Sequence, residues 1–297
     1  MNLSLKAILM VGNAVLLPQF LTAQTAPAAG AAASAPQTNR VPAIPRPTGG
    51  TPVPGDQPAP RLDENSRIAH TQLLEKARKG GIDIYFEGDS ITRRWGASDV
   101  QYKDFLANWN KNFFGWNAAN FGWGADNLQN ILWRLENGEL DGVDPTVIVL
   151  LAGTNNLGGT PPADGDDAKV EDVIRGIRAV LNLMQRKAPR ATIIVVGILP
   201  RNDRGLAIVS TINRINETIS KFADGRKIRY LNINEKLADK DGKLFDGMTV
   251  DRLHLSIKGY QVWADALKPV FTEILGPPAS TDHAPPPTGD PSAQKPR

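Results

Sequence analysis

The fold of this chain is decided by residues 82–95, which read IDIYFEGDSITRRW. The stretch begins with a β-branched and aromatic run between Gly81 and Gly88, a pattern typical of a strand buried on both faces of a parallel sheet. Gly88-Asp89-Ser90 then ends the strand. Open α/β sheets bind their ligands at the carboxyl ends of the strands, which makes Ser90 a candidate nucleophile. The alternative is that Ser90 only caps the following helix.

The composition excludes several classes of protein. None of the 297 residues is cysteine, so a Cys nucleophile, a disulfide framework and a Cys-based metal site are all ruled out. The formal net charge is only +3, and no block of like charge interrupts the chain. A basic patch or tail of the kind that binds nucleic acid or anionic lipid is therefore not predicted.

The first 23 residues predict export. Lys6 precedes an apolar run that ends in the small-residue sequence Leu21-Thr22-Ala23, as in a secretory signal peptide. Gly12, Asn13 and Pro18 interrupt the run, which disfavours an uncleaved membrane anchor. We therefore expect a periplasmic or secreted protein with no stable membrane insertion after cleavage of residues 1–23.

Two segments rich in proline and small residues flank the foldable part of the chain. Residues 24–60 and 276–297 contain few large apolar side chains, so neither can form a core of its own. We expect a disordered linker and a disordered tail, with a single domain over residues 61–275 between them.

Apolar runs alternate with amphipathic segments inside this domain. Residues 146–152 (TVIVLLA) and 192–199 (TIIVVGIL) are aliphatic runs typical of central parallel strands, and shorter strands are expected over 117–121 and 228–233. The alternation predicts an α/β fold, a three-layer α/β/α sandwich with a five-stranded parallel sheet. Helical spacing predicts helices over residues 64–79, 102–112, 127–140, 170–186, 208–222 and 256–275.

The loops after the first three predicted strands have a common character. They read EGDSIT, GWGADN and GTNNLG, and all are short, polar and rich in glycine. Parallel strands end at the same edge of a sheet, so these loops should converge on one rim.

A serine nucleophile needs a base, and the chain has three histidines. His70 is expected in the helix before the first strand, on the amino-terminal side of the sheet, and His283 lies in the proline-rich tail. His254 remains, and Asp251 three residues before it can hold the imidazole in the tautomer that accepts the proton of Ser90. The alternative is a structural Asp–His contact at a helix entrance.

Such a site also needs hydrogen-bond donors for a developing oxyanion. The candidates are the backbone N–H of Ser90, a backbone N–H within Gly124-Ala125-Asp126, and the side-chain amide of Asn155. Polar residues of these loops have an equally good alternative role as turn formers.

Four sequence blocks occur in a characteristic order: GDS at 88–90, NFGWGADN at 120–127, GTNN at 153–156 and DRLH at 251–254. Together they resemble the SGNH (GDSL-type) hydrolase superfamily. The match is greatest to the branch that contains the catalytic subunits of platelet-activating factor acetylhydrolase. The resemblance covers essentially the whole predicted domain.

The resemblance implies a flavodoxin-like fold and catalysis without a metal or cofactor. It implies that Ser90, His254 and Asp251 form a catalytic triad and that Asn155 belongs to the oxyanion hole. The sequence departs from the family at Ala125, where the family has its oxyanion glycine. Since the donor would be a backbone N–H, we expect activity to survive this change.

Export, short loops and the resemblance favour an esterase for short acyl groups, acetyl above all, on a small-molecule or polysaccharide ester. A lysophospholipase or thioesterase for longer chains is the alternative, and a non-catalytic binding module is a third reading. Trp95 and Trp123 flank the predicted site, where each either stacks on a sugar ring or packs in the core. The acidic loop 157–167 is the longest loop beside the site.

Overall fold

The computed structural model of the protein describes residues 53–158 and 167–294. The predicted signal peptide and residues 24–52 of the predicted linker lie outside the described residues. So do residues 159–166 of the acidic loop.

Five strands form one sheet, and every pair of neighbours in it is parallel. In chain order they are β1 (Ile84–Gly88), β2 (Ala118–Asn120), β3 (Val147–Leu151), β4 (Thr192–Val196) and β5 (Ile228–Leu231). The spatial order is β2-β1-β3-β4-β5, so β1 lies inside the sheet between β2 and β3. The predicted five-stranded parallel sheet is confirmed.

Eight α-helices alternate with the strands in the described part of the chain. They are α1 (Glu64–Lys79), α2 (Ser90–Trp95), α3 (Lys103–Phe113), α4 (Leu128–Arg134), α5 (Asp167–Lys187), α6 (Ile208–Ser220), α7 (Asn234–Leu237) and α8 (Ile257–Leu275). The sequence did not predict α2 and α7, which are too short to show a helical period. Among the described residues, no helix combines the length and the apolar character needed to cross a membrane.

The helices cover both faces of the sheet and complete the three layers. On one face, α1, α4, α5 and α6 pack over strand residues such as Tyr85 and Ile148. On the other face, α2, α3 and α8 pack over Ile84, Phe86 and Val149. Successive residues of one strand thus enter opposite cores, which is why the strands read as continuous apolar runs rather than alternating ones.

The helix predicted over residues 127–140 ends early. α4 stops at Arg134, and a wide helical turn follows over Leu135–Glu139. Gly138 in this turn has a φ of 108°, a conformation that residues with a Cβ rarely adopt. The break carries Glu139 into the interior, where it is fully buried.

The structured region is longer at both ends than the sequence predicts. Before the predicted boundary at residue 61, the backbone N–H of Gly55 donates to Asp172 at 2.9 Å. After residue 275, the N–H of Ala279 donates to the Gly115 carbonyl, and Thr288 accepts a hydrogen bond from the buried ammonium of Lys76. Segments that have no core of their own are held here by polar groups of the domain, which composition does not reveal.

Candidate active site

The first loop of the rim turns directly from β1 into α2. Gly88 allows this close turn, because a Cβ there would lie 2.3 Å from the Leu151 carbonyl oxygen. Asp89, not Ser90, caps α2, since its carboxylate accepts a hydrogen bond of 2.8 Å from the N–H of Ile91. The Ser90 hydroxyl is therefore not used as the helix cap, the alternative role that the sequence left open for it.

Ser90 faces the segment before α8. Its Oγ lies 2.9 Å from Nε2 of His254, and Nδ1 of His254 lies 2.7 Å from Oδ2 of Asp251. The other oxygen of Asp251 accepts a hydrogen bond of 2.7 Å from the backbone N–H of His254. Arg252 between them has a φ of 65°, which bends the chain back on itself. The spacing of three residues thus lets one carboxylate bind both the ring and the backbone of the histidine.

The surroundings of His254 favour its neutral form. Burial lowers its pKa, and the positive charge of Arg94 lowers it further, against the opposing effect of Asp251. Arg94 Nη1 lies 3.5 Å from the Asp251 oxygen that binds the ring. Although burial by itself raises the pKa of Asp251, the hydrogen bonds from the backbone and ring of His254 outweigh it and hold that pKa below its usual value. A neutral imidazole with an oriented Nδ1–H is the form that can accept a proton at Nε2.

A second titrating group adjoins Ser90. The Asp89 carboxyl group is buried, which raises its pKa to about 7. Its Oδ1 caps α2, whereas its Oδ2 is buried without a hydrogen-bond partner in the described part of the chain. The pH dependence of any chemistry at Ser90 should therefore reflect Asp89 as well as His254.

The second and third loops contain Ala125 and Asn155, which the sequence predicts as oxyanion donors. The Asn155 amide donates one hydrogen bond, of 2.9 Å, to the Asp126 carbonyl. An amide nitrogen carries two hydrogens, so the other remains for a ligand. Ala125 is exposed and has a φ of 64°, the left-handed conformation that favours glycine. The backbone of the glycine loop thus keeps a glycine-like shape although the residue is alanine.

The other two histidines lie elsewhere. Nδ1 of His70 is 2.6 Å from Glu139, and its ring packs against Trp133. His283 is held by its backbone N–H, which donates to the Asn117 side chain. Of the three, His254 is the one that the fold brings to Ser90. Across the described ranges, no three or more His, Asp or Glu residues are grouped so that they could hold a metal ion.

The match to a known family is extensive. Residues 86–262, more than half of the chain, fit the model of the GDSL-like Lipase/Acylhydrolase family. The chain belongs to that family. The matched segment begins in β1 and ends in α8, and so it includes every element of the rim described above.

Individual relatives agree with this membership. The chain is 28% identical over 227 residues to platelet-activating factor acetylhydrolase IB subunit alpha1 of Bos taurus, covering 75% of this chain and 90% of that protein. It is 30% identical over 217 residues to the alpha2 subunit of Rattus norvegicus, covering 72% and 86%. Among solved structures, a GDSL-like lipase from Bacteroides thetaiotaomicron superimposes with a TM-score of 0.52 at 17% identity, covering 69% and 98%, and supports the fold. Because the chain belongs to this family, it is a hydrolase that acts on esters.

Two arginines of this GDSL-like hydrolase bind the loops of the rim, and neither was predicted from the sequence. Arg134 in α4 binds three buried carboxylates: Asp126 at 2.7 Å, Glu87 at 2.6 Å, and Glu139. It also donates to the Phe121 carbonyl at the start of the glycine loop. Burial raises the pKa of Glu87 to about 8 and that of Asp126 to about 6, although the charge and hydrogen bonds of Arg134 act in the opposite direction on both groups.

The second arginine holds the third loop. Arg201, buried just after β4, donates to both the carbonyl and the hydroxyl of Thr154, next to Asn155. Asp203 forms a two-pronged ion pair with it. The available signal for Arg201 was an arginine two residues after the apolar run 192–199, and the signal for Arg134 was an arginine within the apolar stretch ILWRL at 131–135.

The two tryptophans predicted to bind substrate, Trp95 and Trp123, are both buried in this GDSL-like hydrolase. Trp95 is 0% exposed and packs between Tyr260 and Trp263 in the core. Trp123 is 7% exposed, and its indole N–H donates to Ser66 while Arg93 lies over its ring. The predicted substrate-binding role is wrong for Trp95 and has no exposed ring to support it for Trp123, because both indoles point into the protein interior.

Proposed function

We propose that this protein is an exported serine esterase that removes short acyl groups, acetyl above all, from carbohydrates or other small esters. The observation that carries the proposal is the hydrogen-bonded series from Ser90 Oγ through the His254 ring to Asp251. Such a series joins a nucleophile, a base and an orienting carboxylate, as acyl transfer to serine requires.

In the first half of the reaction, His254 Nε2 accepts the Ser90 proton while Oγ attacks the ester carbonyl carbon. Asp251 stabilises the imidazolium that forms. The carbonyl oxygen becomes an oxyanion, which accepts hydrogen bonds from the Ser90 and Ala125 backbone N–H groups and from the Asn155 amide. His254 then gives its proton to the leaving alcohol, and the acyl group remains on Ser90.

In the second half, a water molecule takes the place of the alcohol. His254 accepts a proton from this water, whose oxygen attacks the acyl-enzyme carbonyl. The same donors stabilise the second oxyanion, and its collapse breaks the bond to Ser90 Oγ. His254 returns the proton to Oγ, so that the free acid leaves and the enzyme is restored.

An open rim supports short acyl groups on bulky alcohols. Ser90 and Asn155 are partly exposed and Ala125 is exposed. The names of the relatives, which are acetylhydrolases, also support acetyl as the acyl group.

The same names favour a second candidate, because they specify platelet-activating factor as the substrate of those proteins. A lipid-directed activity, as lysophospholipase or thioesterase on longer chains, is therefore the alternative. This alternative predicts that kcat/KM is greatest for esters of long acyl chains.

Rates on p-nitrophenyl esters from acetyl to dodecanoyl separate the two candidates. We expect kcat/KM to be greatest for acetyl and to fall with chain length, whereas a preference for octanoyl or longer would overturn the short-acyl proposal. Acetate release from acetylated xylan, pectin and glucose pentaacetate, beside lysophosphatidylcholine, then identifies the alcohol.

Labelling with a fluorophosphonate tests the nucleophile itself. We expect the label on the peptide that contains Ser90, and Ser90→Ala should lower kcat by about four to six orders of magnitude. Ser210→Ala, at an exposed position of α6, is the matched control. Failure of the intact protein to label would favour a non-catalytic binding module.

Export through residues 1–23 is part of the proposal. The apolar run after Lys6 supports it. Expression of the full chain, followed by N-terminal sequencing of the protein released to the periplasm or medium, should find a mature start just after Ala23. Retention of the full-length chain inside the cell would contradict it.

A further inference from the structure

A groove beyond β4 and β5 is not used by the proposed ester chemistry. It encloses about 660 Å³, within the range of roughly 300–1,000 Å³ typical of small-molecule sites. Its walls are α6, the residues that follow β4 and β5, and the segment 238–245. The floor is apolar, with Val209 and Ile212 of α6.

The lining is suited to a hydroxyl-rich ligand. Four asparagines, a serine, a tyrosine and a phenylalanine contribute to it: Asn213, Asn216, Asn232, Asn234, Ser220, Tyr230 and Phe245. Two of the amides, on Asn216 and Asn234, are tied to the Ile198 backbone. Those of Asn213 and Asn232 lie on exposed residues, and an amide can both donate to and accept from a sugar hydroxyl.

An aromatic ring stands beside these amides. Phe245 is 42% exposed, although a phenyl ring gains by burial. Its open face offers an apolar platform for the C–H face of a sugar ring, while the amides reach the hydroxyls at the ring's edge.

The charge of the groove excludes anionic ligands. Its lining includes the carboxylates of Glu217, Glu235 and Asp239 against the single ammonium of Lys240. Glu217 is paired with Lys221, and Lys240 with Asp241, so Glu235 and Asp239 leave an excess of two negative charges, which disfavours phosphate and acidic sugars. We infer that this groove binds a sugar unit of a neutral oligosaccharide or polysaccharide.

One end of the groove lies on the same rim as Ser90. Pro200, after β4, and Asn232, after β5, both line it. Neighbouring strands are about 4.8 Å apart, so these strands lie two and three steps from β1, roughly 10–15 Å along the rim. Asn202 joins the two regions, because its side chain donates to the Gly242 carbonyl and its backbone N–H donates to the Arg252 carbonyl.

A polysaccharide held in the groove would therefore present a neighbouring unit to Ser90. This link to Ser90 rests on the proposed esterase function, but binding in the groove does not. The two are tested separately.

Binding is measured by titration calorimetry on the intact protein with unacetylated xylohexaose, cellohexaose, mannohexaose and chitohexaose. We expect at least one of these hexasaccharides to bind. Phe245→Ala should raise the Kd of that hexasaccharide about three- to tenfold, because the aromatic platform is lost. Asn213→Ala should weaken the same binding. Phe114→Ala is the matched control, since Phe114 is 56% exposed and lies outside the groove.

Absence of binding by all four hexasaccharides would overturn the inference. Equal Kd values for Phe245→Ala and Phe114→Ala would overturn it as well. Binding of choline chloride in place of the sugars would assign the groove to a cation instead, since acidic and aromatic groups also attract quaternary ammonium.

The link to Ser90 is tested with the acetylated form of the hexasaccharide that binds. We expect Phe245→Ala to raise KM for its deacetylation with little change in kcat, because the ring would hold the chain and not the reacting ester. Equal KM values in Phe245→Ala and Phe114→Ala would overturn the link. If the wild-type protein hydrolyses no ester at all, the proposed function fails, and the calorimetry still decides the sugar site.

Discussion

Asn155 and Asp126 lie on loops after different strands, and the Asn155 amide donates a hydrogen bond of 2.9 Å to the Asp126 carbonyl. Asp126 is in turn held by Arg134 at 2.7 Å and by Arg61 at 3.3 Å. The candidate oxyanion donor is thus connected to a buried ion-pair network beneath the rim. This connection fixes the direction of an amide that is itself only partly buried.

Asn155→Ala removes the side-chain amide, including the hydrogen that is not donated to the Asp126 carbonyl and can bind a ligand. We expect kcat for p-nitrophenyl acetate to fall about 10²- to 10³-fold, with a small change in KM, because the donor acts mainly on the transition state. Asn137→Ala is the control, since Asn137 also donates to a backbone carbonyl but at an exposed helix end. A rise in KM without loss of kcat would show that Asn155 binds the substrate rather than the oxyanion.

Arg94→Gln should move the acidic limb of the pH–rate profile to higher pH. The charge of Arg94 helps to lower the pKa of His254, so its removal raises that pKa. His254 acts as a base only when neutral, and activity is lost as the pH falls through its pKa. The variant should therefore lose activity at a higher pH than the wild type.

The profile is measured as kcat/KM from pH 4 to 9, beside the exposed α1 variant Arg67→Gln as control. Any contribution from Asp89 is common to all three proteins. An acidic limb that stays in place in Arg94→Gln would mean that burial alone sets the His254 pKa.

Arg134→Met leaves three buried carboxylates without their shared cation. We expect the free energy of unfolding to fall by about 3–5 kcal/mol, the usual cost of breaking a buried ion pair by removing one partner. Urea denaturation at pH 7 measures it. Arg175→Met removes an exposed arginine that pairs with Asp172, and its effect should stay within about 0.5 kcal/mol. Equal effects of the two variants would contradict the network's role.

Ala125→Gly restores the residue type of the family. The left-handed conformation of Ala125 costs about 1–2 kcal/mol, whereas glycine adds about 0.4–1 kcal/mol of unfolded-state entropy. We therefore expect the free energy of unfolding to stay constant or to rise by up to about 1.6 kcal/mol, with kcat within a factor of two.

Ala107→Gly is the opposite control, because Ala107 is exposed in the interior of α3, where glycine in place of alanine should destabilise the protein by about 0.5–1 kcal/mol. A large loss of kcat in Ala125→Gly would show that the alanine methyl group matters to the site.

Much of the fold could be predicted because its signals are local. The apolar runs that became β1, β3 and β4 are buried on both faces, so their composition alone distinguished them from helices. The end of α4 could not be predicted, because Leu135 continues the apolar pattern while Gly138 bends the backbone. The ordered ends of the domain were also missed, since their contacts are hydrogen bonds to residues more than 100 positions away.

For the candidate site, the sequence by itself determined which reactive residues were available. A serine follows the first predicted strand, and elimination among three histidines left His254, with Asp251 three residues before it. Chemistry and spacing are properties of the chain, and they were sufficient for this selection.

Only the tertiary structure decided how those residues are supported. In the structure Asp89 caps α2, Trp95 lies in the core, and Arg134 and Arg201 bind the backbone of the second and third loops of the rim. Each of these positions depends on which residues, distant in sequence, are buried together. In the interior the dielectric constant is low, and every buried charge and polar group needs a partner there. That pairing is set by the packing of the three layers, and no local pattern encodes it.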